Sequence, residues 1–129
     1  MLSARVDQSQ ASSTIDVSLA SADDRPAIYR LRHQIYALEL GQHHPNPEQQ
    51  LSDSLDAYNV YVKAEINGRI AGFASITPPG QLYSVDKYFS RDVFPFPFDS
   101  GVYEVRLLTV IPERRRRAIA SLLMKNFLA

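Results

Sequence analysis

The sequence from 58 to 77, YNVYVKAEINGRIAGFASIT, determines the sheet. Two apolar runs of strand length flank the dipeptide Asn67-Gly68. Both residues tolerate the positive φ angles that a two-residue hairpin turn requires, so the stretch predicts two antiparallel strands. Pro78, Pro79 and Gly80 follow directly, and we expect them to end the second strand.

The segments before the hairpin predict a strand and a helix. TIDVSLA, at 14–20, alternates apolar and polar residues, as a half-buried strand does. DDRPAIYRLRHQIYALEL, at 23–40, has apolar residues at helical spacing, Pro26 in its first turn and Gly41 just after it, which predicts an amphipathic helix. Residues 1–13 lack the apolar core of a signal peptide, and we expect a disordered leader there.

The segments after the hairpin predict a loop, a further strand and a second helix. VYEVRLLTVI, at 102–111, predicts a fourth strand, and RRRRAIASLLMKNFLA, at 114–129, predicts a second long helix. Residues 81–101, rich in aromatics and proline, predict a covering loop. The order indicates an α/β fold of the α+β sandwich kind. The last helix has no cap, so we expect 14–129 to be an incomplete domain whose exposed fourth strand favours a homodimer.

Composition restricts the classes of function. Fourteen basic residues balance fourteen acidic ones among 129, so we expect neither a nucleic-acid partner nor a membrane surface. The absence of cysteine excludes disulfides, thiolate metal sites and a cysteine nucleophile. We expect no metal, because His43 and His44 adjoin without a carboxylate at ligand spacing. A cytoplasmic location is the default expectation.

Four consecutive arginines, Arg114 to Arg117, stand where the second helix begins. A helix N-terminus already carries roughly half a positive charge, so cations there are unfavourable. A multiply charged anion would reverse the sign of this effect, because free backbone N–H groups and guanidinium groups both donate to it. The run is therefore either a solvated basic turn or a diphosphate-binding loop.

The stretch VRLLTVIPERRRRAIASLLM, at 105–124, resembles the acyl-CoA-binding motif of the GCN5-related N-acetyltransferase (GNAT) superfamily. Arg115, Ala118 and Ala120 match the three motif positions, although Ala118 and Arg116 stand where glycines are usual. The first helix and the hairpin resemble that family as well. The resemblance implies a mixed, mostly antiparallel sheet flanked by helices, here truncated after the acyl-CoA-binding helix. It also implies N-acetyltransferase activity, which moves an acyl group from acetyl-CoA or another acyl-CoA to a small-molecule or peptide amine.

The same resemblance implies the roles of particular residues. Backbone groups of Leu108, Thr109 and Val110 would bind the extended pantetheine arm along the strand edge. The diphosphate loop would comprise Arg115, Arg116, Arg117, Ala118, Ile119 and Ala120. Glu104 is the candidate general base, or else a partner of Arg106, and alternation predicts that both share one face with Leu108 and Val110. Arg32 and Tyr36 are candidates for the acceptor site, or else packing residues.

A subgroup, the acyl-homoserine lactone and N-acyl amino acid synthases, is also similar. Asp53 and Asp56 match its Asp-x-x-Asp, whereas Leu107 stands where its strand arginine is expected after Glu104. This likeness implies a long-chain acyl donor, and the loop aromatics would either cover that chain or pack on the core. A catalytically inactive acyl-CoA-binding or interaction domain is the alternative to an enzyme.

Overall fold

The computed structural model describes residues 2–7, 12–115 and 119–128, and its strands form one sheet. Within these residues the strands are β1 (Leu2–Asp7), β2 (Ser12–Leu19), β3 (Val60–Ile66), β4 (Arg69–Thr77) and β5 (Glu104–Val110). They lie in the order β1-β2-β3-β4-β5, and each strand is antiparallel to its neighbours. The predicted α+β sandwich with a mostly antiparallel sheet is confirmed.

Two long helical segments pack on this sheet. Helix α1 spans Arg25–Arg32 and continues as a π-helical segment, His33–Glu39, before Gly41 turns the chain at a φ of 65°. Helix α2 spans Ile119–Leu128. In the part of the chain that the structure describes, no helix is both long enough and apolar enough to cross a membrane.

The hairpin forms as predicted. Asn67 and Gly68 have φ angles of 54° and 75°, and the register runs from Ile66 opposite Arg69 to Val60 opposite Ile76. The prediction of a disordered leader does not hold for Leu2–Asp7, which form β1 and pair with β2. Apolar and polar residues alternate along β1, and its pairing satisfies the backbone groups on the outer edge of β2.

The core lies on both faces of the sheet. On one face, α2 contributes Ile119 and Leu123 to a buried cluster with Ile15, Val17 and Val62. On the other face, α1 contributes Ile28 to a buried cluster with Tyr61 and Phe73. Helices therefore cover both faces, and β5 lies at one edge of the sheet between them.

Gly72 on β4 lets α2 lie close to the sheet. A Cβ atom at this position would stand 2.8 Å from the carbonyl oxygen of Thr109 and 3.0 Å from Cγ2 of Ile119. The first distance is to backbone, which has no freedom to move aside, so a larger residue would displace β5 or α2.

Strand β5 contains a β-bulge. Arg106 lies opposite Ser75 and Thr109 lies opposite Phe73, so Leu107 and Leu108 together oppose a single residue of β4. Leu107 has a φ of 58°, in the left-handed region. Because the bulge shifts the alternation by one residue, Thr109 shares the α1-side face with Glu104 and Arg106. The prediction that Val110 lies on that face is wrong, since Val110 packs against the cluster on the α2 side.

Candidate active site

A network of two arginines and two aspartates lies between α1 and β5. Arg32, at the end of α1, has a side chain that is only 7% exposed. It donates to Asp56 Oδ2 at 2.8 Å, to the Tyr61 hydroxyl at 2.9 Å and to Asp53 Oδ2 at 3.3 Å. Arg106 of β5 donates two parallel hydrogen bonds to Asp53, each of 2.9 Å. Together these contacts join the first helix, the loop before β3 and the edge strand.

The spacing of the two aspartates has a local cause. Asp53 caps a 3₁₀ turn, Ser54–Ala57, that contains Asp56, and Asp53 Oδ1 accepts from Leu55 N–H at 3.0 Å. Asp56 Oδ2 accepts from Asp53 N–H at 2.7 Å, which completes a capping box. An Asp-x-x-Asp sequence therefore presents two carboxylates from one turn, and both arginines approach them.

Both carboxylates are stabilised in their charged form. Burial alone would raise the pKa of Asp53, but hydrogen bonds and charge from Arg106, with charge from Arg32, outweigh it and the pKa is lowered. The pKa of Asp56 is lowered in the same way, since the Tyr61 hydroxyl, the Asp53 N–H and Arg32 outweigh burial. Burial raises the pKa of Tyr61. Two aspartates and two arginines therefore form a charge-balanced frame around neutral pH.

The predicted acceptor residues, Arg32 and Tyr36, lie next to this frame. The Tyr36 hydroxyl lies 2.9 Å from Thr109 Oγ1 on β5. Both residues line a small cavity of about 50 Å³, together with His43, Leu51, Ser52, Asp53 and Leu107. The structure thus brings the two candidates to one cavity beside the bulge, and their role in binding an acceptor remains a prediction.

Glu104 begins β5 and holds the covering loop. Its Oε1 accepts from Ser84 N–H at 2.7 Å, and its Oε2 accepts from Ser84 Oγ at 2.8 Å and from Val85 N–H at 3.1 Å. These groups begin a 3₁₀ turn, Ser84–Lys87, so the carboxylate caps that turn. The alternative pairing of Glu104 with Arg106 is not what the structure shows, because Arg106 binds Asp53. A catalytic role for Glu104 stays a prediction.

The covering loop presents aromatic side chains beside Glu104. Tyr83 is buried, and Arg91 stacks on its ring at 4.5 Å and on the ring of Phe98 at 4.8 Å. A cavity of about 230 Å³ lies between this loop and the start of β5, and its lining includes Phe94, Phe96 and Phe98. The aromatics therefore pack partly on the core and partly around an open, apolar cavity.

Arg115 lies at the opposite end of β5. Its Nε donates to the carbonyl oxygen of Val110 at 3.0 Å, and its terminal nitrogens donate to both oxygens of Glu39, at 3.0 and 2.6 Å. The hydrogen bonds from Arg115 lower the pKa of Glu39. The pair therefore ties the end of the π-helical segment to the turn after β5.

The other predicted cofactor residues fall into three groups. The side chain of Leu108 is 43% exposed, that of Thr109 is buried and that of Val110 is half-buried. Ile119 is fully buried under the sheet and Ala120 is half-buried, so the side chain of Ile119 serves the core. Arg116, Arg117 and Ala118 lie outside the described residues. Their role in binding a cofactor stays a prediction.

Sequence reasoning missed two contacts that define this site. The bidentate pair of Arg106 and Asp53 joins residues 53 positions apart, and the Tyr36–Thr109 contact joins residues 73 apart. The Asp-x-x-Asp match draws attention to Asp53, and the predicted fourth strand draws attention to Arg106. The sequence therefore indicates each residue but not their pairing. The Tyr36–Thr109 contact depends on the bulge at Leu107, and no glycine or proline marks that position in the sequence.

The class of protein follows from comparison with known families. The model of the Acetyltransferase (GNAT) family matches residues 25–129, and the chain belongs to that family. No curated protein is similar enough to the chain to count as a match.

Solved structures share the fold. A CoA-dependent acyl-homoserine lactone synthase, BjaI, with SAM and isopentyl-CoA, has a TM-score of 0.73 and 24% identity over 89% of this chain. A second synthase of that kind, MesI, has a TM-score of 0.72 and 19% identity over 88% of this chain. A GNAT acetyltransferase from Brucella melitensis in complex with acetyl-CoA has a TM-score of 0.56 and 17% identity over 88%. The chain spans 59%, 63% and 66% of these three proteins.

Proposed function

We propose that this chain is part of an acyl-CoA-dependent N-acyltransferase that moves an acyl group from acyl-CoA to a primary amine. The observation that carries the proposal is the edge of β5. Among the described strands, β5 pairs only with β4, contains a bulge at Leu107 and ends at the turn that holds Arg115. Membership of the GNAT family supports the same assignment.

The donor would extend along this edge. An extended pantetheine arm carries amide groups that can pair with the backbone of Leu108 to Val110, as an added strand would. The diphosphate would then reach the turn after β5, where Arg115 supplies guanidinium donors and Arg116 and Arg117 follow in sequence. Acetyl-CoA and longer acyl-CoA molecules share both features, so this part of the site selects CoA and not the acyl group.

The acceptor side must deprotonate an amine and place it against the thioester. The neutral amine attacks the thioester carbonyl, an amide forms, and CoA leaves as a thiol once it takes a proton. Glu104 is the proposed proton acceptor, because its carboxylate lies on the same face of β5 as Arg106 and Thr109. The cavity beside Arg32 and Tyr36 is the proposed place for the amine.

A second candidate, an N-acyl amino acid synthase-like enzyme with a longer acyl donor, is favoured by one observation. The cavity of about 230 Å³ beside Glu104 is lined by Phe94, Phe96, Phe98 and Val105, which would suit an apolar acyl chain. The acyl-homoserine lactone synthases among the similar solved structures support the same second candidate. An inactive acyl-CoA-binding domain would show binding without turnover.

Turnover measured by mass spectrometry, with acetyl-, hexanoyl- and dodecanoyl-CoA and a panel of amines, tests the proposal. We expect Glu104→Gln to lower turnover by about a hundredfold while CoA binding, measured by calorimetry, is retained. Glu48→Gln, at an exposed loop carboxylate, is the matched control and should leave both unchanged. CoA binding without turnover for any donor would support the inactive domain instead.

A further inference from the structure

The bulge in β5 places a leucine in an unfavourable backbone conformation. Leu107 has a φ of 58°, where the Cβ atom of an L-residue crowds its own backbone. Neither glycine nor asparagine occupies the position, and such a conformation persists only where surrounding contacts hold it. The contacts that hold this one can be identified.

A chain of hydroxyl groups ends at the carbonyl of the strained residue. Thr109 Oγ1 lies 2.8 Å from the Leu107 carbonyl oxygen and 2.9 Å from the Tyr36 hydroxyl. A carbonyl only accepts, so Thr109 must donate its single hydroxyl proton to Leu107. Tyr36 must therefore donate to Thr109. The chain runs from the π-helical segment, through Thr109, to the bulge.

Burial keeps water away from the centre of this chain of hydroxyl groups. Thr109 is only 4% exposed, so water does not replace either partner of its hydroxyl. The Leu107 side chain packs against the cluster of Ile28, Tyr61 and Phe73, which fixes the other side of the bulge. The backbone at Leu107 is thus held both by a directed hydrogen bond and by packing.

We propose that Thr109 is a positioning residue for acyl transfer: its hydroxyl, oriented by Tyr36, holds the bulge in the geometry that receives the thioester. The inference rests on the proposed function. At a bulge the extra residue is left out of the ladder, so a backbone group that the ladder does not use can meet a ligand at the strand edge. Loss of the hydroxyl would alter where the thioester carbonyl lies, while the diphosphate turn and the rest of β5 would still bind CoA.

Three substitutions test this role. Thr109→Val keeps the shape and removes the hydroxyl, and we expect kcat to fall by about tenfold or more while the Kd of CoA changes by less than about twofold. Thr109→Ser restores the hydroxyl and should recover most of kcat. Thr77→Val is the matched control, because the buried Thr77 hydroxyl on β4 has no hydrogen-bond partner among the described residues. It should leave kcat and Kd unchanged.

Amide hydrogen exchange of the unliganded proteins provides a second readout. We expect faster exchange in the peptide that covers the bulge for Thr109→Val only, and not for Thr109→Ser or Thr77→Val. Equal kcat for Thr109→Val and wild type, or equal losses for Thr109→Val and Thr77→Val, would overturn the positioning role. Wild-type protein that transfers no acyl group would overturn the proposed function, and the exchange measurement would still decide whether Thr109 holds the bulge.

Discussion

Two arginine–carboxylate pairs, Arg32–Asp56 and Arg115–Glu39, lie beside the edge strand β5, and they differ in burial. The side chains of Arg32 and Asp56 are 7% and 6% exposed, whereas those of Arg115 and Glu39 are 43% and 33% exposed. A buried charge that loses its partner is left uncompensated in a medium of low dielectric constant. An exposed charge that loses its partner is simply hydrated. We call Arg32–Asp56 the inner pair and Arg115–Glu39 the outer pair. The inner pair is therefore suited to hold the frame of arginines and aspartates in place, and Arg115 of the outer pair is suited to exchange its partner for a ligand.

The largest difference should follow from truncation of the inner carboxylate. Asp56→Ala would leave Arg32 without its closest ion partner and the Tyr61 hydroxyl without its acceptor. We expect the free energy of unfolding to fall by about 3–5 kcal/mol, measured by urea denaturation. Asp92→Ala, at an exposed carboxylate, is the control and should change it by less than about 0.5 kcal/mol. Equal effects of the two substitutions would show that burial does not distinguish the pairs.

Acid should lower the free energy of unfolding through the frame's two carboxylates, Asp53 and Asp56. The pKa values of Asp53 and Asp56 are lower in the folded protein than the ordinary value of 3.8. The unfolded chain therefore takes up protons first as the pH falls, so the stabilisation present above pH 4 is lost as the pH drops through the folded pKa. Urea denaturation between pH 6 and pH 3 should show a smaller acid-induced loss for Asp56→Asn than for wild type. An identical loss would mean that Asp56 does not contribute to acid sensitivity.

Local signals predict the fold because local geometry sets it. Asn67 and Gly68 alone define a hairpin, and Ile15 and Val17 alternate as a half-buried strand must. The bulge at Leu107 has no such signal, because distant contacts hold it and its own residue type does not favour it. Because the bulge shifts the alternation by one residue, the face predicted for Val110 is wrong.

The candidate site is predicted less completely for the same reason. Charged residues stand out in the sequence, so Arg32, Asp53, Asp56 and Glu104 could all be singled out as candidates. Their partners depend on tertiary contacts: Glu104 caps the turn at Ser84, and Arg106, its expected alternative partner, binds Asp53 instead. A single sequence shows which groups are available, whereas the geometry of the sheet edge decides which groups meet.

The smallest effect on stability, and the clearest effect on binding, should come from the outer pair. Glu39→Gln removes the charge that holds Arg115 but keeps the shape of the side chain. We expect the midpoint of urea unfolding to stay unchanged, because both side chains are largely hydrated. The affinity for CoA, measured by calorimetry, should rise by about threefold, since the diphosphate no longer competes with a carboxylate for the guanidinium group.

The matching substitution of Arg115 shows whether Glu39 competes with the diphosphate or supports its binding. Arg115→Gln should weaken CoA binding, and Glu39→Gln added to it should have no further effect, because the carboxylate acts only through the guanidinium group. Arg30→Gln, at an exposed position of α1, controls for the loss of one positive charge. Weaker CoA binding by Glu39→Gln would mean that Glu39 orients Arg115 for the diphosphate. In that case the outer pair would serve the site in the same way that the inner pair serves the fold, as a fixed support.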